Sequence, residues 1–472
     1  MITFAIIILG LILRLIAVNQ SLWLDEAISV QLVTSFNIKE ILISFSPQDF
    51  NPPLYYLVLF FWLKIFPDTE FFIRLPSILF GILTGPFIYQ IYFELFKEKK
   101  GAKIALFLLM TSPLHIYYSQ EARTYSLAAF LVAVSMFCFI KFFKSKNFLF
   151  SFFYILSSIL MLYSHYLCFF IIFVQLIYLL IWKKHFIKIF LKTYLLILIF
   201  YLPWLPTLFN QLSAGNKALM NKTWSTLGTF NLKNIFLLPV KFIIGRSSFD
   251  NKVFYYVLVL LLLAFFISLI FKAFNKKILR VFKNKAEVNL EILIWLWLIL
   301  PVILGFIISL KIPIFSYFRF LFCLPAFYLL VSRGALRFKR PSFIILVLMF
   351  INLFFTSRYL FLEQFHRENW KKAVKVLQQK NFSNNPVLIL ENITAPFEYY
   401  DKKVTNIVYF KDKNIIVDYD TVWLIPYAQP IFDADDSLRK YLKKQGFERV
   451  YEEHFGGVTL EKWQKHLAFR YN

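Results

Sequence analysis

Residues 252–277 read KVFYYVLVLLLLAFFISLIFKAFNKK: about twenty apolar residues with no acid among them, closed by Lys272, Lys276 and Lys277. A run of ~17–25 such residues matches the hydrocarbon thickness of a bilayer, and closing lysines mark the side on which basic loops are retained, the cytoplasm. The same unit recurs along the chain. Four further basic loops contain Lys97, Lys99, Lys100 and Lys103; then Lys141, Lys144 and Lys146; then Lys183, Lys184, Lys188 and Lys192; and finally Arg333, Arg337, Lys339 and Arg340. The loop that closes the quoted stretch continues through Arg280, Lys283 and Lys285.

Composition agrees. The 472 residues are 59% hydrophobic and include 60 Phe, beyond the ~45–50% of soluble domains. Most of the surface is therefore expected to face lipid. The formal charge of +25 would suggest nucleic acid on a soluble protein. Here the positive residues cluster between apolar runs, which points to cytoplasmic loops meeting anionic membrane lipid and excludes a nucleic-acid partner. Cys138, Cys168 and Cys323 lie in apolar segments without metal-ligand spacing, so neither a disulfide scaffold nor structural zinc is expected.

Placing all five basic loops inside fixes the path. The expected spans are 2–18, 72–95, 104–118, 124–140, 149–164, 167–182, 193–209, 252–271, 290–309, 317–332 and 342–360. Run 2–18 lacks a charged start and a small-residue cleavage site and reads as an uncleaved first span. Run 54–66, after Pro52-Pro53, is too short to cross and is expected as a juxtamembrane helix in the first external loop, 19–72. The result is an all-α polytopic membrane protein of about 11 transmembrane helices, N-terminus cytoplasmic, in a multi-pass domain over 1–360. The tail, 361–472, is charged and mixed. Its periodicities predict a helix over 366–380, strands over 386–390, 406–410, 421–426 and 447–452, and a helix over 435–445, forming a small extracytoplasmic α/β domain.

Ionisable groups at a membrane border are expensive and so point to function. Four groups fall on the outer side. Asp25 and Glu26 follow the first span in SLWLDE. Tyr55 follows Asn51-Pro52-Pro53-Leu54. Glu121, Arg123 and Tyr125 crowd the short turn SQEARTY. Arg74, His165, Lys311, Tyr317 and Arg319 are scattered at outer edges. Singly, each reads as a snorkelling or hydrogen-bonded residue; together they place acids and cations on one face. A carboxylate there can deprotonate an acceptor while cations neutralise a departing lipid phosphate. Asp25 is the base candidate, with Glu26 as alternate or metal ligand. Arg123 offers a fork suited to phosphate.

The order of these motifs resembles the glycosyltransferase C superfamily, in its protein O-mannosyltransferase and aminoarabinose transferase-like branch, glycosyltransferase family 39 in the broad sense. The residues that carry it are LWLDEA with Asp25-Glu26, Asn51-Pro52-Pro53-Leu54, Arg74-Leu75-Pro76, SQEARTY and the stretch 317–325, covering roughly residues 5–330. The resemblance implies the glycosyltransferase C fold, a polyprenyl-phosphate sugar donor, inversion at the anomeric carbon and Asp25 as catalytic base. With that donor, the outer-face residues already singled out become candidate phosphate ligands, Arg74, Arg123, Arg319 and Lys311, and candidate pocket residues, Tyr55, Glu121, Tyr125, His165 and Tyr317. The acceptor stays open among lipid, glycan and protein. Asn51 stands where the family commonly has His, and no second acidic motif of Asp-x-Asp type follows, which weakens the case for a divalent cation as cofactor. The tail has no counterpart in the resemblance and is expected to set acceptor choice.

Three other classes compete. A polysaccharide polymerase or ligase shares the donor class. A transporter or flippase calls for mid-span charges and Gly/Pro-broken helices in both halves, against 12 Gly in the whole chain. A non-catalytic membrane scaffold would keep the architecture without the chemistry.

Overall fold

The computed structural model describes residues 1–45, 50–145, 147–220, 232–274, 290–312, 314–401 and 406–465. Lys146 and the basic residues expected over 276–285 lie outside them. Helices α1 (Ile2–Leu15), α4 (Glu70–Phe96), α5 (Lys99–Met110), α6 (Pro113–Ser119), α7 (Tyr125–Ser145), α8 (Phe148–Ser164), α9 (Phe169–Trp182), α10 (Ile187–Tyr201), α11 (Leu205–Met220), α12 (Leu232–Ile244), α13 (Lys252–Ala273), α14 (Glu291–Ser309), α15 (Leu324–Ala335) and α16 (Pro341–Phe361) form a bundle. Between α1 and α4 lie α2 (Leu24–Ser35) and α3 (Leu54–Leu63).

Seven helical segments among the described residues are long and apolar enough to cross a membrane: Glu70–Phe96, Tyr125–Ser145, Lys184–Ser213, Lys252–Ala273, Glu291–Ser309, Tyr317–Ala335 and Pro341–Phe361. Three other expected spans appear as the shorter apolar helices Ile2–Leu15, Phe148–Ser164 and Tyr166–Trp182. The expected span 104–118 is two helices rather than one. Ser112 caps α6 by accepting from His115 N, and Pro113 occupies its first turn, so the helix of α5 cannot run through.

Burial sorts the bundle. Leu106, Leu108 and Leu109 of α5, Ala129 and Val132 of α7, and Tyr328 and Val331 of α15 are inaccessible or nearly so. On α13, Phe254, Leu260, Leu261 and Phe271 stay exposed; in water that surface would be a liability, and in lipid it is the outer wall. Close approach holds α13 to α15 at Gly334, where a Cβ would stand 1.8 Å from the Leu269 carbonyl oxygen.

The first loop departs from expectation. Run 54–66 forms the short helix α3 as expected, but α2 was not visible in the sequence. Its N-cap is Trp23, without a side-chain cap bond. It is stabilised by Asp25 and Glu26 in its first turn and by packing on two sides.

After α16 the chain forms a small sheet domain. Strands β1 (Val387–Ile389), β2 (Ile407–Tyr409), β3 (Thr421–Leu424), β4 (Phe447–Phe455) and β5 (Val458–Lys465) lie in the order β2-β1-β3-β5-β4. β1 runs parallel to β2 and β3, pairing Val387 with Ile407 and Trp423; β5 runs antiparallel to β3 and β4. Helix α17 (Trp370–Lys380) lies within the helix expected over 366–380 and buries Trp370, Ala373, Val374 and Leu377. Those residues pack with Val387, Trp423 and Leu460. On the other face Leu438 and Leu442 of α18 (Ser437–Lys444) pack with Leu388, Val422 and Trp463. β4 is longer than expected and β5 was missed; Gly456 and Gly457, both at positive φ, make the turn between them.

Gly334→Ala is expected to separate α13 from α15 and lower stability by ~1–3 kcal/mol, read as an earlier thermal transition of the purified protein. An unchanged transition would show that the two helices tolerate a wider crossing.

Candidate functional site

The site begins where α1 stops. Ala17, at φ 56°, turns the chain, and α2 opens with Leu24, Asp25 and Glu26. Neighbouring residues on a helix project about 100° apart, so the two carboxylates go different ways.

Glu26 goes inward and is fully buried. It accepts from Arg74 at 2.9 Å (Nε) and 2.6 Å (Nη2) and from the Ala122 amide at 2.9 Å. Arg367 Nε lies 3.5 Å away. Burial alone would raise its pKa; Arg74 and Arg367 outweigh that and hold it below the ordinary value. Arg74, equally buried, also donates to the carbonyls of Val18, Gln20 and Ser21 at 2.6, 2.6 and 3.0 Å. Both side chains are thus enclosed, Glu26 by Arg74, Arg367 and the Ala122 amide, and Arg74 by Glu26 and the carbonyls of the loop before α2.

Asp25 goes outward. Its side chain is 35% exposed, and its carboxylate stands 3.5 Å from Arg123 Nη2. Arg123 also donates to Tyr56 Oη at 3.1 Å and Ser29 Oγ at 3.4 Å. A narrow crevice beside Arg123 is lined by Asn51, Pro52, Tyr55, Tyr56, Arg123 and Thr124. The Pro-Pro element thus forms one wall and the SQEARTY turn the other. Tyr55 is fixed by its hydroxyl contact with Ser77, 2.8 Å.

Glu121 is buried and accepts from Arg367 Nη2 at 2.9 Å. Burial pushes its pKa up to about 7; Arg367 opposes this, and Glu26 and Asp25 add to it. The Tyr125 ring packs at 5.2 Å on Tyr118 and 5.3 Å on Phe318. Arg319 lies over the Phe318 ring at 5.9 Å, within the electrostatic reach of Asp25, Arg123 and Tyr125. His165 accepts from the Leu167 amide at 3.2 Å; burial, with Arg319 and Arg123 near, pulls its pKa down to about 3, so it stands neutral. Tyr317 lies under Lys241 Nζ at 5.9 Å. Lys311 is exposed, and no side-chain bond joins it to this cluster among the described residues.

Three cations escaped the sequence reading. Arg367 comes from the segment joining α16 to the sheet domain, is 4% exposed, and lies 4.4 Å over the Tyr117 ring. Arg246 lies 4.8 Å from the same ring and meets the Tyr117 hydroxyl. Lys241 sits near Arg246, its pKa drawn down to about 8 by burial and by that guanidinium. Lys241 had a legible signal, a charge inside the apolar run of α12; Arg367, in a charged tail, had none. Among the described residues no three His, Cys, Asp or Glu side chains gather as a metal set.

The family described as dolichyl-phosphate-mannose-protein mannosyltransferase matches over residues 51–207. No curated protein matches the chain in sequence. Among solved structures, ArnT from Cupriavidus metallidurans bound to undecaprenyl phosphate superposes with a TM-score of 0.61 at 11% identity, covering 97% of each chain. The apo state of the same protein gives 0.59 at 10%. The oligosaccharyltransferase AglB from Archaeoglobus fulgidus, in complex with an inhibitory peptide and a dolichol-phosphate, gives 0.55 at 12%, covering 97% of this chain and 74% of that one. The chain therefore has the glycosyltransferase C fold that the sequence resemblance implied. The coverage also reaches into the tail, beyond the roughly 330 residues of that resemblance.

Arg367→Gln is expected to leave two buried carboxylates short of their shared cation and to cost ~3–5 kcal/mol, measured as lost thermal stability; a neutral substitution would remove the clamp. Glu121 binds its proton up to about pH 7 when folded and up to its ordinary 4.5 otherwise. The folded state therefore holds the extra proton between those values, and stability falls by roughly 3 kcal/mol as pH rises through that window. Melting curves of Glu121→Gln over the same range should be flatter than those of the wild type.

Proposed function

We propose that this protein is an inverting glycosyltransferase that moves a sugar from a polyprenyl-phosphate-linked donor to an acceptor on the extracytoplasmic face of a membrane. One observation carries the proposal: a partly exposed carboxylate, Asp25, stands 3.5 Å from a guanidinium, Arg123, that lines a cleft with Asn51, Pro52, Tyr55, Tyr56 and Thr124. The family described as dolichyl-phosphate-mannose-protein mannosyltransferase, and the undecaprenyl phosphate and dolichol-phosphate held by ArnT and AglB, support a lipid-phosphate donor.

The chemistry follows from the charges. Asp25 accepts a proton from the acceptor's nucleophilic group. That group attacks the anomeric carbon from the face opposite the lipid phosphate, so a new bond forms as the carbon–oxygen bond to phosphate breaks, with inversion. The electron pair leaves on the phosphate oxygen, where negative charge grows. Arg123 and Arg319 are the donors nearest Asp25 for that charge, and Lys241 and Arg246 border the same aromatic cluster. Buried Glu26 and Arg74 position the loop and do not meet substrate. The acceptor reaches Asp25 past the sheet domain. Tyr427, which donates to Glu368 Oε1 at 3.4 Å, stands within the electrostatic reach of Asp25. This is where the tail bears on acceptor choice.

The test is incubation with radiolabelled polyprenyl-phosphate sugars. Asp25→Asn should lower turnover by ~10²–10⁴ with donor binding kept, and Arg123→Ala should weaken donor binding. Sugar transfer that persists in Asp25→Asn would remove Asp25 from the base role.

A further inference from the structure

The opposite end of the bundle from Asp25 is organised by acids. Glu94, near the end of α4, is gripped by Lys97, Lys141 and Lys144 at 3.0, 2.9 and 3.1 Å, and Glu98 by Arg333 at 3.2 Å. These two carboxylates offset half of the charge of the four cations they meet. Lys100 and Lys103, one turn apart on α5, are different: neither has a carboxylate partner among the described residues. Lys100 is exposed and Lys103 partly so.

Both lysines border a groove of about 200 Å³. Its floor is α5, with Phe107 and Leu108, and its walls are α1, with Ile6, and α16, with Ile345. All three helices begin at this end, so the lysines stand at the groove's mouth and the apolar lining runs inward. From Arg74, which holds Glu26, to Glu94 at this end is roughly 30 Å of α4, the thickness of a hydrocarbon core. The groove therefore opens at the membrane face opposite the carboxylate pair.

We infer that this groove holds an acyl chain of an anionic glycerophospholipid whose phosphate sits on Lys100 and Lys103. Two cations without an acid select a negative headgroup over a zwitterionic one. The lining from Lys100 to Leu108 is roughly 12 Å long, within one leaflet of about 15 Å; that suits a fatty acyl chain, whereas a long isoprenoid would extend past it. The site is independent of the transferase chemistry and faces the leaflet that Asp25 does not.

The test uses the full-length protein, purified and exchanged into phosphatidylcholine micelles, then titrated with phosphatidylglycerol and read by native mass spectrometry. Wild type should retain one phosphatidylglycerol in preference to phosphatidylcholine. Lys100→Gln with Lys103→Gln should lose roughly thirtyfold in retention, at about one kcal/mol per lysine. Lys188→Gln with Lys192→Gln, an equal charge change on exposed α10 positions, should retain it. Equal losses in both pairs would mean only diffuse attraction to net charge and would overturn the site. So would indifference of the wild type to headgroup, or tighter retention of an isoprenyl monophosphate, which would give the groove to a carrier lipid. Should the Lys100/Lys103 pair fail to fold, Ile345→Trp, which fills the groove and keeps both lysines, replaces it with the same expected loss.

Discussion

A carboxylate shut away from water joins the first loop to the rest of this molecule. Glu26 is tied to Arg74 on α4, to the Ala122 amide in the turn before α7 and to Arg367 beyond α16. Four segments far apart in sequence meet on one side chain. Taking an ion out of water costs several kcal/mol, recovered only when geometry and hydrogen bonds are complete. That condition fixes where α2 begins and how it is turned. Asp25 sits on the same turn, one residue before, and meets Arg123 on the other side.

Much of the architecture was legible because lipid imposes a simple rule: a crossing segment is apolar and long. Most of the expected spans correspond to single helices; 193–209 runs across α10 and α11 through a short turn at Leu202–Trp204, and 104–118 is broken by Ser112 and Pro113, residues whose meaning is local and was overridden by the hydrophobic run around them. In the tail, the apolar face of α17 and four short strands were readable from period. β5 was not, since VTLEKWQK places charges where a strand pattern needs alternation. Helix α2 was invisible because tertiary packing makes it, with no cap to announce it.

The site was legible as a set of residue types and illegible as a set of roles. Charges at a membrane border singled out Asp25, Glu26, Arg74, Glu121, Arg123 and Arg319, and the structure gathers these six. The sequence could not tell the inward carboxylate from the outward one, since adjacent residues look alike until the helix axis is fixed. Nor could it show that Arg74 is enclosed by carbonyls. Arg367 was hidden for a different reason: in a charged segment, burial is the surprise, and only the fold reveals it. The Asn51 departure also acquires a place, on the wall of the cleft beside Arg123.

Leu24 belongs to the hydrophobic core of the sheet domain, among Trp370, Val387 and Trp423, while the next two residues are the exposed and the buried carboxylate. The C-terminal body is therefore no appendage that could be exchanged like a cassette. Its interior is completed by a residue borrowed from the first loop, so a graft from a relative would have to bring a matching α2 with it. Substitutions at this seam would have to be matched on both sides, in the loop and in the tail.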